Sequence, residues 1–397
     1  MTSDPGRQIP VVERAGCADI ADLRHLYYAV YGPHYPVALG TDPAEMARLI
    51  QDPHTVWLVA RCPRSNALVG SAAVHGEPGS RLGRLEGLAV HPDHRGGGLA
   101  ARLTERLCER TLGTGRLDSV YATVRTVSAG PQRVVAHCGF RPMGLLANAV
   151  ALGSRESLAL YARHSPGVLE RRVPVPEVPA PLAPLLRTVE RGLSISYAGT
   201  RVAPPSPALP APPSPAPASG VRLELIEAPA FVRRRFDEHF PDAAQWFYPL
   251  HTPNTLLAAA DGSFEVYACL NRSGGYCALL AGYPSATAAA HLEALTHALT
   301  RAGAGYVEAL VPLAHLAALS AFLSQGFLPS ALYPAMRREG DDRFHDYVVM
   351  SRTAEQIDFR GMVVDAPLQP YLDAYVSAWS SRYLPVQPVP PLPEVAP

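Results

Sequence analysis

Residues 84–103, RLEGLAVHPDHRGGGLAARL, join an apolar run to an amphipathic helix through an arginine and three glycines. The apolar run RLEGLAV (84–90) predicts a strand, and the helix that follows carries Leu99, Leu103 and Leu107 on one face with Arg102, Arg106 and Arg110 on another. A connection this poor in side chains lets a ligand come close to the main chain. The first N–H groups of a helix lack intrahelical partners and carry the positive end of its dipole. A strand, a glycine turn and a helix start therefore suit a phosphate held by backbone amides. An ordinary flexible loop before a helix is the plainer reading of the same glycines.

The surrounding pattern predicts two lobes of one α/β (α+β, mixed sheet) design. In the first, a strand near 9–14 precedes helices at 17–31 and 43–51, and strands follow near 55–61, 67–75 and 82–90. After the helix 98–112 come a strand at 119–126, a short helix at 130–138 and strands near 142–151 and 155–163. The later chain repeats this order: strand 276–283, helix 285–302, strand 306–312, helix 313–325, then two strands around YPAMRR and HDYVVMSR. Gly98 and Gly139 are 41 residues apart, as are Ser285 and Gly326, and both second glycines precede a phenylalanine. The expected division is a first lobe at 1–163, a connecting segment at 164–220, a second lobe with a C-terminal extension at 221–383 and a tail at 384–397. RRVPVP and APLLRTVERGL within 164–202 also fit as the opening strand and helix of the second lobe. Residues 203–219, APPSPALPAPPSPAPAS, predict a proline-rich linker, and the proline-rich tail reads as unfolded.

Composition narrows the chemistry. The 397 residues carry no net charge and no basic run beyond RRR at 233–235, which argues against a nucleic-acid partner. No apolar stretch is long enough for a membrane span and the start is polar, so a cytoplasmic protein is expected. Six cysteines without a C-x-x-C pair read as reduced thiols. All 35 cationic residues are arginine, which removes a Walker lysine and a lysine Schiff base. HPDH at 91–94 has a metal-like look but coincides with the turn, so no metal is expected.

LEGLAVHPDHRGGGLAARL, with CGFRPMG at 138–144, resembles the signature of the GNAT superfamily of acyl-CoA-dependent N-acetyltransferases. The resemblance covers 10–163; the second lobe resembles the fold only, since YPSATAAAH (283–291) replaces the glycine loop. It implies acetyl-CoA as cosubstrate, with Arg95, Gly96, Gly97, Gly98, Leu99, Ala100 and Ala101 at the pyrophosphate. It also implies backbone contacts from Leu88, Ala89 and Val90 to the pantetheine arm and acyl oxygen, across a slot between this strand and 119–126. Ser128 stands where an asparagine is common. Glu86 occupies a place where some members carry the base that takes the amine's proton; pairing with Arg84 is the other reading. Tyr28, Tyr31 and Tyr35, in LYYAVYGPHYPVA (26–38), are candidates for the acceptor site or for core packing.

The chain departs from the family where a tyrosine often serves as acid: that position is Val135. Tyr121, His137 or water are the substitutes. The implied function is acetyl transfer by direct attack of a small-molecule or peptide amine, in a monomer or homodimer. A non-catalytic acyl-CoA-binding regulator is the alternative, and a scaffold offering its proline-rich linker to partner domains is a third.

Overall fold

The computed structural model describes residues 9–33, 35, 37–77, 79–204, 221–242, 245–340 and 342–384. The proline-rich stretch beyond Pro204 and the tail beyond Leu384 lie outside the described residues. In the first half, β1 (Val11–Arg14), α1 (Ile20–Tyr31), α2 (Ala38–Thr41) and α3 (Pro43–Gln51) precede β2 (Thr55–Arg61), β3 (Leu68–Gly76) and β4 (Leu82–Val90). Then come α4 (Leu99–Thr111), β5 (Ser119–Arg125), α5 (Ala129–His137), β6 (Arg141–Leu152) and β7 (Ser154–His164). Local chemistry sets several boundaries. Asp42 caps α3 by accepting the Ala44 N–H at 2.9 Å, with Pro43 at the first helical position. Leu99, Leu103 and Leu107 of α4 are all buried, as the stripe predicts.

A connector holds β8 (Glu177–Pro179), α6 (Ala183–Leu193) and β9 (Arg201–Ala203). The second half runs β10 (Leu223–Ile226), α7 (Pro229–His239), β11 (Thr255–Ala259), β12 (Glu265–Asn271), β13 (Tyr276–Tyr283), α8 (Ser285–Ala289) and α9 (Leu292–Arg301). It continues with β14 (Tyr306–Pro312), α10 (Leu316–Ser324), β15 (Leu328–Glu339), β16 (Arg343–Thr353) and finally α11 (Gln369–Tyr383). Two expectations need correction. The helix at 285–302 is two helices, interrupted at 290–291. The opening strand and helix of the second half are β10 and α7, whereas α6 packs on β6, β15 and α11. The connector is pinned there by a buried carboxylate: Asp346 accepts from the Tyr197 hydroxyl at 2.6 Å, Arg172 at 3.0 Å and the Ala335 N–H at 2.7 Å.

Fourteen strands form one mixed sheet in the order β1-β2-β3-β4-β5-β7-β6-β15-β16-β14-β13-β12-β11-β10. Read inward from either edge, the two halves have the same strand order, and they meet where β6 lies antiparallel to β15. Details repeat as well. Arg163 reaches Glu105 at 3.0 Å and the Cys138 carbonyl at 2.7 Å, just before Gly139-Phe140. Arg352 reaches Glu293 at 3.2 Å and the Gln325 carbonyl at 3.0 Å, just before Gly326-Phe327.

Alternation along β2 separates the two faces of the sheet. Val56, Leu58 and Ala60 belong to a core under α4, α5, α6, α9 and α10 that runs through both halves; Trp57 and Val59 face α1 and α3. The junction itself has no room for a side chain. Gly144 pairs with Ala331, and a Cβ on Gly144 would lie 2.2 Å from the Ser330 carbonyl oxygen and 2.3 Å from the Ala331 Cα. Gly144→Val is expected to cost about 3 kcal/mol, because the clash is with backbone that cannot turn away. Chemical denaturation read as a shift in midpoint checks this.

Candidate acyl-transfer site

β4 and β5 are parallel neighbours only over Leu82–Arg84 and Ser119–Tyr121; beyond that register they part. A slot thus opens between the last six residues of β4 and the end of β5. β4 also bulges against β3, the register shifting between Ser71 and Ala73, and Gly87 sits in the bulge with φ of +63°. A Cβ on Gly87 would be 2.5 Å from the Tyr27 hydroxyl, so glycine is required there for both space and conformation. Helix α1 clamps the bulge. The Tyr27 hydroxyl donates to the Gly87 carbonyl and the Tyr31 hydroxyl to the Leu88 carbonyl, each at 2.8 Å.

These contacts sort the expected strand residues. The Leu88 carbonyl is taken by Tyr31, and Ala89 is buried against α1. His91 donates its N–H to Val69, and antiparallel alternation then turns the backbone of Val90 away from β3 toward the slot. Past Val90 the chain makes a short 3-10 turn, Pro92–His94, and Arg95 folds back to donate to the Val90 carbonyl at 3.2 Å. Arg95, Gly96, Gly97 and Gly98 are exposed. Gly96 (φ +79°) and Gly98 (φ +72°) adopt left-handed backbone, and nothing lies within 4 Å of where a Cβ would stand on either. Gly98 is the N-cap of α4, with neither a capping side chain nor an acidic residue in the first turn, so the N–H groups of Leu99, Ala100 and Ala101 lack intrahelical acceptors. This fits an anion approaching the main chain. HPDH forms the turn, and among the described residues no group of three or more His, Cys, Asp or Glu is placed to hold a metal ion.

Glu86 lies on the stretch of β4 that has parted from β5, with 16% of its side chain exposed. Its oxygens lie 3.7 Å from the Arg84 Nε and 3.9 Å from the His75 Nδ1, and the other ring nitrogen of His75 is 3.5 Å from Asp52. Burial pushes the His75 pKa down despite the carboxylates on both sides, which favours a neutral imidazole. Tyr31 and Tyr35 stack with ring centroids 4.3 Å apart and Tyr27 beside them; burial raises the pKa of both Tyr31 and Tyr35. Tyr28 is not part of this group: it is 64% exposed on the outer side of α1. Ser128 is the exposed N-cap of α5, its carbonyl accepting from Gln132. Val135 is buried in the core, and His137 is exposed at the far end of α5. Of the expected substitutes for the tyrosine, Tyr121 alone stands beside Arg84 and Glu86, its pKa raised by burial.

Sequence reasoning missed several neighbours. Arg125 makes a bidentate pair with Glu156 at 2.6 and 2.7 Å on the wall facing Tyr31 and Tyr35. His75 reaches Glu86 through strand register, and Asp52, just after α3, reaches His75; no local pattern reveals either. In the second half the register places Ala278 and Leu280 at the positions of Arg84 and Glu86, and β13 leads into α8 without a glycine loop.

Residues 19–140 match the model of the Acetyltransferase (GNAT) family. No curated protein matches the chain. Among solved structures, the ribosomal-protein-S18-alanine N-acetyltransferase from Escherichia coli is similar at 16% identity and a TM-score of 0.34, over 40% of this chain and 94% of that one. A GNAT-family acetyltransferase from Streptococcus pneumoniae aligns at 15% identity and TM-score 0.35, over 39% of this chain and 99% of that one. A phosphinothricin acetyltransferase from Sinorhizobium meliloti, solved with AcCoA, aligns at 19% identity and TM-score 0.35, over 40% and 89% respectively. The parted strands, the open glycine loop and the family match agree on one statement: residues 19–140 form an acetyltransferase domain of the GNAT family.

Proposed function

We propose that the first half transfers an acetyl group from acetyl-CoA to an amine by direct attack in a ternary complex. The observation that carries this reading is the parting of β4 from β5 beside an open, uncapped α4 N-terminus. Acetyl-CoA supplies a thioester carbonyl that an amine can attack. Amides from Gly97 to Ala101 hold the pyrophosphate, with Gly96 and Gly98 keeping the surface free of side chains. The Val90 N–H donates to the acyl oxygen, where negative charge builds during attack. Glu86 accepts the amine's proton, and neutral His75 with Asp52 behind it offers that proton a route away from the slot. Val135 has no proton to give the departing thiolate; Tyr121, beside Glu86 and Arg84, is the substitute. Ser128 borders the far side of the slot.

The same reading takes residues 1–163 as the acting domain, 164–220 as a connector and 221–383 as a degenerate copy. With one glycine loop, each chain should bind one equivalent of coenzyme A in a calorimetric titration; two equivalents would show a second working site. Val135 favours a second reading, an acyl-CoA-binding regulator without catalysis. An acceptor screen that follows the freed coenzyme A thiol separates the two: binding without turnover is the regulator's signature.

A further inference from the structure

We propose that the amine acceptor carries an anionic group close to its nitrogen, in the simplest case the carboxylate of an amino acid, and that Arg84 binds it. The inference rests on the acetyl-transfer reading and names the substrate class of that site. Arg84 and Glu86 are two residues apart on β4, so their side chains leave the same face with origins about 7 Å apart. The guanidinium has five donors. Its Nε is buried without a hydrogen-bond partner, and its only carboxylate contact among the described residues is Glu86 at 3.7 Å, too long for a hydrogen bond. Yet 34% of the side chain is exposed, so the group is open to solvent rather than sealed in the core.

The surroundings keep this cation charged and leave its Nε N–H without an acceptor. Burial works against its charge, but Glu86, then the hydroxyls of Tyr121, Tyr276 and Tyr35, outweigh it and keep the pKa high. Tyr276, from the second half, is committed elsewhere: its hydroxyl donates to Glu308 at 2.6 Å and meets His251 at 2.9 Å. Of the other cations nearby, Arg125 is occupied by Glu156 and Arg48 by Glu45. Arg84 stands on the stretch of β4 still paired with β5, at the opposite end of the strand from the glycine loop, so the coenzyme's phosphates do not serve it. What the site presents to an acceptor is an arginine with an unsatisfied Nε N–H beside one carboxylate. An ammonium with a neighbouring carboxylate is complementary to both: its anion meets Arg84 and its nitrogen meets Glu86. Tyr35, Tyr121 and Tyr276 flank Arg84 and limit its exposure to water, which strengthens that match.

The test compares amino acids with their carboxamides and decarboxylated amines as acceptors, with phosphoethanolamine against ethanolamine as the phosphate arm. In the wild type the amino acid should exceed its neutral partner by about 10–100-fold in kcat/KM. Arg84→Met should reduce that ratio to a few-fold, and Arg84→Lys should retain part of it. Should Arg84→Met not fold, the wild-type ratio and Arg84→Lys decide. An Arg84-dependent preference for phosphoethanolamine over amino acids upholds the anion site and moves its source to phosphate. Neutral amines acetylated as well as amino acids, or a ratio unchanged in Arg84→Met, overturns the proposal while leaving acetyl transfer intact. Calorimetry of N-acetylamino acids against their carboxamides, on the coenzyme A complex, reads the site without turnover. Arg84-dependent binding there, with no amine acetylated, would uphold the site and sink the transfer reading instead.

Discussion

A Gly98→Glu protein is expected to fold and to lose at least about 100-fold in affinity for coenzyme A. Two effects combine. At φ of +72° a side chain strains the loop by about 1–2 kcal/mol, which an exposed turn tolerates without unfolding the body. The added carboxylate then stands at the open end of α4, where the amides would receive a pyrophosphate. It repels that anion and competes for the same N–H groups. Calorimetry with coenzyme A, together with an unfolding curve, reads both outcomes. Unchanged affinity in the folded variant would remove the loop from the coenzyme site.

The second large effect is at Glu86. Glu86→Gln keeps size and hydrogen-bonding capacity but removes basicity, and general-base assistance is worth about 10²–10⁴-fold in rate. Turnover should fall by at least about 10²-fold, while coenzyme A affinity changes little because the carboxylate is remote from the loop. The structure sharpens the contrast with a purely structural role. The Arg84 contact at 3.7 Å and the His75 contact at 3.9 Å are both too long for hydrogen bonds, so little stability depends on them. Turnover within a few-fold of wild type in a well-folded Gln variant would retire Glu86 as the base.

What was legible in the sequence is what local chemistry determines. The strand, glycine turn and helix at 84–103 carry their own signals: an apolar run, residues that permit positive φ, and a leucine stripe that is buried as expected. The equal 41-residue spacing likewise anticipated two halves with the same strand order. The opening of the second half was obscured because β10 has only four residues and follows a proline-rich run, while the more regular helix at 183–193 lies before it. That helix covers the β6–β15 junction instead, a contact between residues too far apart in sequence to be read from pattern. The site shows the same limit. Tyr31 was separable from Tyr28 only once α1 was docked: the two stand three residues apart on one side of the helix, and docking through Tyr27 and Tyr31 leaves Tyr28 at the exposed edge. His75 and Tyr276 reach the cleft through strand register and through the second half, neither of which leaves a local trace.

The most direct test of the account is a single-turnover experiment on the one-to-one complex with acetyl-CoA. The complex is mixed with an amine panel that includes amino acids, and mass spectrometry follows freed thiol, acetylated amine and protein together. Direct transfer predicts that thiol and acetylated amine appear in equal amounts, that the protein is never acetylated, and that both products slow in parallel in Glu86→Gln. A bound acetyl-CoA that no amine discharges, or a thiol release that Glu86→Gln leaves unchanged, would contradict it.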